Sequence, residues 1–407
     1  MDAISTWICI NNYGCDLYPS VRLIWQLTYA RSDNMTFQPR KELADLPKTV
    51  HGGQAWRLSG VEDYSQNLNP LGPPPELLEE VQKAFAGVGH YPDDNSVRAK
   101  EAVSGYFNLH TENVQMGAGS SEIIRNFPNA FCSPGDRVLM CRPTFAEYAQ
   151  QCRLAGAAIE YLDLVESEDF HVNFGRLSRM LQEFSYRAVY LCNPNNPTGR
   201  VEPRDKILAF VRECADRNVL VFLDETLLDL VANADSISCA SFVNQYPNLV
   251  VAGSLTKSFA IPGLRIGYGL AAPELIAEME KVRLPWNLGH LEQHLAAYLV
   301  GYRMDYVVEA AKILEKENKV MQSELDDIGF PVGHVSDSFF YFSSTARLKI
   351  TGADLQRLML KEGIMIRDCS SFGPQFERYI RFCVKDRDRN NAFIAAAEKV
   401  LQSMTGR

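Results

Sequence analysis

One lysine closes an apolar run in Asn248-Leu249-Val250-Val251-Ala252-Gly253-Ser254-Leu255-Thr256-Lys257. The run reads as a buried strand that delivers the lysine to its exit. An amine held among small and apolar residues loses its proton at accessible pH and can form a Schiff base with an aldehyde. Ser254 and Thr256 add hydroxyls, and Arg265, eight residues past the lysine, adds a forked cation that suits a phosphate. A surface lysine ending a strand, with an arginine nearby, has the same spelling, so this stretch needs company before it carries an argument.

Four other passages supply that company. Gly117-Ala118-Gly119-Ser120-Ser121-Glu122 links a strand to a helix; its glycines let backbone approach a phosphate, and the amides of Ser120 and Ser121 point from a helix N-terminus. Cys192-Asn193-Pro194-Asn195-Asn196-Pro197-Thr198-Gly199 is a loop stiffened by prolines, and it holds asparagine amides able to donate to a phenolate oxygen. Asp224 ends the run Val219-Leu220-Val221-Phe222-Leu223; a carboxylate there needs a partner, which a pyridinium N–H or an arginine would equally supply. Phe145, in Arg142-Pro143-Thr144-Phe145, is placed to stack on a ring or to pack in the core. An amine for an aldehyde, an acid for a ring nitrogen and donors for a phosphate are together what pyridoxal 5'-phosphate (PLP) requires.

The elements that must position these residues follow from periodicity. Strands are expected at Val114–Met116, Arg137–Cys141, Ala158–Leu162, Ala188–Cys192, Val219–Asp224, Leu249–Gly253 and Ile266–Ala271. Helices are expected at Glu76–Ala86, Ser121–Cys132, Phe145–Leu154, Pro203–Arg217 and Pro273–Val282. The alternation predicts an α/β fold with a mainly parallel seven-stranded sheet flanked by helices, with ligands gathered at the carboxyl ends of its strands. From about Tyr302 a long polar helix leads into a smaller α+β C-terminal domain. The proline-rich passage Asn69-Pro70-Leu71-Gly72-Pro73-Pro74-Pro75 reads as a loop crossing between lobes. The expected division is therefore an N-terminal extension (1–50), an arm belonging to the small domain and interface (51–75), a large domain (76–300) and a small domain (301–407).

Composition narrows the class. A chain of 407 residues with 46% hydrophobic and 22% charged residues is an ordinary globule, long enough for two or three lobes. A formal charge of -9 with dispersed basic residues leaves no footprint for nucleic acid. Ten cysteines without a C-x-x-C pair argue against a zinc site and suit reduced thiols in a cytoplasmic protein. Residues 1–34 hold only short, interrupted apolar runs, too short to span a bilayer, and read as a docking arm or as translated sequence upstream of a start at Met35.

With lysine, aspartate, asparagine and arginine in this order at sheet-edge positions, the chain from about Lys48 to Gln402 resembles the fold-type I PLP enzymes of the class I/II aminotransferase group. Within that group it is similar to the L-threonine-O-3-phosphate decarboxylases of the cobalamin pathway, with the histidinol-phosphate aminotransferases as cousins. The passages that carry this are His51-Gly52-Gly53, Asn69 through Pro74, His90-Tyr91-Pro92-Asp93, Ser254 through Gly269, and Ile366-Arg367-Asp368-Cys369-Ser370-Ser371-Phe372.

The resemblance implies roles. Lys257 would hold the cofactor aldehyde, Asp224 the pyridine nitrogen and Asn196 the ring hydroxyl oxygen, with Phe145 on the ring face. Ser120, Ser121, Ser254, Thr256 and Arg265 would bind the cofactor phosphate, and Tyr91 would reach it from the other subunit of a homodimer with shared active sites. Arg381 would grip the substrate carboxylate; Arg367 and His51 would lie near the substrate phosphate, and Gly72 and Asn196 would line the substrate site. Two features depart from the family pattern: Thr226 and Leu227 follow Asp224-Glu225 where a small residue and an aromatic are usual, and Ala118 stands where many relatives have asparagine. The implied activity is decarboxylation of an O-phosphorylated hydroxy amino acid, threonine phosphate or serine phosphate, to an amino-alcohol phosphate and carbon dioxide. The alternatives are transamination of a phosphorylated amine such as histidinol phosphate and, more distantly, a PLP-binding regulator without catalysis. No metal, nucleic acid or membrane partner is expected.

Overall fold

The structure, a computed structural model, describes residues 40–44, 46, 49, 55–333 and 336–405. The chain divides into two units, 1–45 and 46–407. In the first, Lys41–Ala44 forms a short helix. His51 and residues 1–39 of the N-terminal extension lie outside the described residues. Among the described residues no helix is long and apolar enough to cross a membrane.

Among the described residues the second unit contains twelve strands: β1 (Glu62–Asp63), β2 (Val114–Ala118), β3 (Arg137–Arg142), β4 (Ala158–Asp163), β5 (Ala188–Cys192), β6 (Leu220–Asp224), β7 (Leu249–Ser254), β8 (Ile266–Ala271), β9 (Phe340–Ser344), β10 (Ile364–Met365), β11 (Arg367–Asp368) and β12 (Tyr379–Cys383). Strands β2 to β8 make one seven-stranded sheet in the order β2-β8-β7-β6-β5-β3-β4. All seven strands expected from the sequence are present, and the sheet is mainly parallel as expected. The exception is β8, which runs antiparallel to both β2 and β7.

Alternation along the strands splits the core between the two sheet faces. Leu139, Val189, Val221, Leu223 and Val251 pack on one face. Val138, Met140, Ala188, Tyr190, Phe222 and Val250 pack on the other. Both faces are dry, which is why these strands read as continuous apolar runs. Helices Ser120–Phe131, Ala146–Leu154, Arg204–Ala215 and Pro273–Glu280 follow their strands at nearly the expected bounds. Helices Val97–Phe107 and His290–Tyr302, which pack on one another, were not foreseen. The long helix expected from Tyr302 runs from Met304 to Asp327.

Beyond it, β11-β12-β9 form a small antiparallel sheet. The arm returns to this region: β1 pairs in parallel with β10, with Glu62 opposite Ile364. Lys385 and Arg389 both ion-pair with Glu62, which ties the arm to the C-terminal part at its polar edge.

Candidate active site

Parity along β6 decides where its terminal carboxylate points. Asp224 lies two residues beyond Phe222 and so shares its face, where Tyr148 of helix Ala146–Leu154 also packs. Tyr148 OH donates to Asp224 Oδ2 at 2.7 Å, and the Thr226 backbone N–H donates to Oδ1 at 2.8 Å. Asp224 is 5% exposed, and burial raises its pKa above the ordinary carboxylate range. Its sequence position equally allowed an arginine partner, but among the described residues it makes no ion pair.

The next strand brings the lysine. Asp224 pairs with Ala252 of β7, and β7 passes into a single helical turn, Leu255–Ser258, whose N-cap Ser254 accepts from Thr256 N at 3.3 Å. Lys257 sits half-buried on that turn. Burial, reinforced by the Arg381 and Arg265 cations, pulls its pKa from 10.5 down to about 8. Ser254 and Thr256 share a 2.7 Å hydroxyl contact beside it.

A second group of residues meets where β2 enters helix Ser120–Phe131. Gly119 caps this helix at φ 74°, a left-handed value that favours glycine. Arg265 Nη2 donates to Ser121 Oγ at 3.4 Å. A Cβ built on Gly119 would stand 2.4 Å from Arg265 Nη2, and one on Gly267 would stand 2.3 Å from Ser120 N. Side chains are thus absent where the guanidinium and the turn's amides converge, as an anion cradle requires.

The third group faces the lysine from the small sheet. Arg381 lies in the middle of β12, 8% exposed, and its cross-strand partner on β11 is Arg367. Direct partners project to the same face of a sheet. Arg381 donates to Asn196 Oδ1 and to Ser65 O, while its buried Nε has no hydrogen-bond partner among the described residues. Among the described residues it makes no ion pair with a carboxylate. Arg367 donates to Ser371 Oγ at 2.9 Å. Burial, and after it the neighbouring Arg367, lowers the pKa of Arg381.

Phe145 caps helix Ala146–Leu154 and meets Tyr148 edge-on at 5.6 Å between ring centroids. Asn195 Nδ2 donates to Pro143 O at 3.0 Å, which ties the Asn196 loop to the Phe145 loop. Gly72, at φ 77°, belongs to a loop whose Asn69 bonds the lysine turn. Tyr91 is not brought to this site within one chain: it is 77% exposed and lies against Trp286 at 4.7 Å. Two contacting residues were given no role in the sequence. Tyr148 could have been suspected from its place one helical turn after Phe145; Asn69 stands in the proline-rich passage, but nothing there pointed to the lysine turn.

Comparison with known proteins decides the family. Residues 60–396 match the model of the family described as aminotransferase class I and II. A protein from Caldanaerobacter subterraneus subsp. tengcongensis, provisionally named a threonine-phosphate decarboxylase, is 31% identical over 358 residues, covering 88% of this chain and 95% of the relative. The chain belongs to the aminotransferase class I and II family. Its members are fold-type I enzymes that work with PLP. The histidinol-phosphate aminotransferase from Clostridium acetobutylicum superposes with a TM-score of 0.77 at 27% identity, covering 84% of this chain and 99% of that one. The histidinol-phosphate aminotransferase from Sinorhizobium meliloti in complex with PLP gives a TM-score of 0.80 at 21% identity, covering 92% and 100%, a likeness of fold.

The residues present fit the cofactor on this structure's own terms. A buried carboxylate has no cation beside it among the described residues, burial pulls a lysine's pKa down to about 8, and an anion cradle would be filled by a Cβ at either of two glycines.

Proposed function

We propose that this family member is a PLP-dependent decarboxylase of an O-phosphorylated hydroxy amino acid, threonine phosphate or serine phosphate, giving an amino-alcohol phosphate and carbon dioxide. The observation that carries the reading is the opposition of Arg367 and Arg381 on β11 and β12. Two guanidinium groups on one face, beside a lysine turn, suit a substrate with two anionic groups, a carboxylate and a phosphate. The relative at 31% identity supports the same substrate class.

In this reading Lys257 holds the cofactor aldehyde, Asp224 its ring nitrogen and Asn196 its phenolic oxygen, with Phe145 on the ring face. Ser120, Ser121, Ser254, Thr256 and Arg265 take its phosphate. When bound, PLP draws electrons from the substrate's α-carbon. Arg381 binds the substrate carboxylate and Arg367 its phosphate, and the orientation they impose selects which bond to the α-carbon breaks. Lys257 Nζ, poised near pH 8, returns a proton to that carbon. The arm at 51–75 works with the small domain (301–407) against the large domain (76–300), and a second copy contributes Tyr91 to the phosphate.

A second reading, transamination of a phosphorylated amine, is favoured by the likeness at 27% identity to a histidinol-phosphate aminotransferase. The same arginines and lysine serve both reactions, so product analysis separates them. The pure enzyme with threonine phosphate or serine phosphate is expected to release carbon dioxide without a keto-acid acceptor. Turnover only with 2-oxoglutarate, with keto-acid formation and no carbon dioxide, would replace the decarboxylase reading by the second one.

A further inference from the structure

The turn that carries Lys257 is held from outside by a residue of the proline-rich passage to which the sequence assigned no role. Leu255–Ser258 is a single turn, so its carbonyls must find partners beyond its own residues. Leu255 O accepts from Phe259 N and Thr256 O from Ile261 N, each at 3.1 Å. Asn69 reaches the next two. Its backbone N–H donates to Lys257 O at 3.0 Å, and its side-chain Nδ2 donates to Ser258 O at 2.8 Å.

Asn69 is itself fixed. It is 3% exposed, and its Oδ1 accepts from Leu71 N at 2.8 Å, so a flipped amide would set donor against donor and acceptor against acceptor. The loop that carries it is anchored to distant helices. Tyr306 OH donates to Leu71 O at 3.0 Å and to Gly72 O at 3.1 Å, and Arg389 donates to Pro70 O. On the other side of the turn, Ser258 Oγ donates to Asp229 Oδ2 at 2.6 Å. The backbone on either side of the lysine side chain is therefore clamped between the arm and the large domain.

We propose that Asn69 is a positioning residue for Lys257: it caps the lysine turn from the arm and thereby fixes the place and the reactivity of Nζ. The inference rests on Lys257 being the amine that holds the cofactor. Removing the amide leaves Ser258 O, in a buried setting, without its donor. The turn then relaxes, and Nζ gains water.

The test uses Asn69→Ala and Asn69→Ser in the full chain. Ser adds no charge, keeps a side-chain acceptor for Leu71 N and the backbone bond to Lys257 O, and is too short to donate to Ser258 O, so it decides the matter if the alanine variant does not fold. Competitive acetylation of the cofactor-free protein across pH, read by mass spectrometry at the Lys257 peptide, gives the amine's titration midpoint without recourse to activity. In both variants the midpoint is expected to rise by about half a pH unit or more toward the ordinary lysine value, and kcat to fall about tenfold or more while KM changes less than about threefold. A midpoint and kcat at their wild-type values in a folded variant, even one with a lowered melting temperature, would overturn the proposal. Borohydride reduction of the wild-type holoenzyme separates the underlying reading: cofactor fixed on a lysine other than Lys257 would remove the premise, whatever the Asn69 variants do.

Discussion

At the scale of single residues, burial sets the chemistry of the carboxylate and the amine at the candidate site. It pushes the Asp224 carboxyl up and the Lys257 amine down. For the lysine the sign has a direct kinetic consequence. Below about pH 8 the amine is protonated and has no lone pair; above it the amine is free to attack an aldehyde. Uptake of PLP by the cofactor-free protein, followed by the absorbance change, is therefore expected to accelerate with pH and level off above a midpoint near 8. An acceleration continuing to the ordinary lysine value of 10.5 would mean that the amine is not desolvated in the way its surroundings indicate. Lys257 and Asp224 were legible in the sequence because each ends or follows an apolar strand, and such ends gather on one edge of the sheet, while Arg265 was legible from its spacing, eight residues past the lysine. Tyr148 and Asn69 were not, because their roles exist only through contacts with segments far along the chain. Asn69 and Ser258, for instance, are 189 positions apart.

At the scale of elements, the close approach of β8 to the turn before helix Ser120–Phe131 makes glycine obligatory at position 267. A Cβ there would lie 2.3 Å from Ser120 N and 2.4 Å from Gly119 C, both backbone atoms that cannot rotate away. Gly267→Ala must therefore push the turn off β8, at a cost of about 1–3 kcal/mol of stability. Because the displaced atoms include an amide of the proposed phosphate cradle, PLP affinity is expected to fall along with stability. Denaturant melts and equilibrium dialysis of the cofactor-free protein measure the two separately. A destabilised variant with wild-type affinity would detach the turn from cofactor binding. The direction of β8 was illegible for a physical reason: Ile266–Ala271 is buried along its whole length, so no polar face distinguishes an antiparallel neighbour from a parallel one. The pairs β1 with β10 and β11 with β12 were illegible because β1, β10 and β11 are two residues long, too short for any periodicity.

At the scale of the whole molecule, the arm, the small sheet and the lysine turn form one connected frame, through β1 on β10, Arg381 on Ser65 O and Asn69 on Lys257 O. Tyr91 stands outside that frame. Tyr91 lies against Trp286, and like Leu284 and Phe85 both are large apolar side chains exposed in the single chain, as the proposed homodimer requires of residues it would cover. If a second copy supplies Tyr91 to its neighbour's cofactor phosphate, the proposed dimer makes a quantitative prediction. Lys257→Ala and Tyr91→Phe are each expected to impair the enzyme alone. In a randomly reassembled mixture half of the dimers are hybrids, and in each hybrid one site draws its lysine and its tyrosine from the two intact sources while the other has neither. Activity is then expected to return to about a quarter of the wild-type level. If each chain used its own Tyr91, no site in any hybrid would be whole, and mixing would add nothing to the two variants measured apart. The assay reads the origin of one hydroxyl, independently of whether the product is an amino-alcohol phosphate or a keto acid.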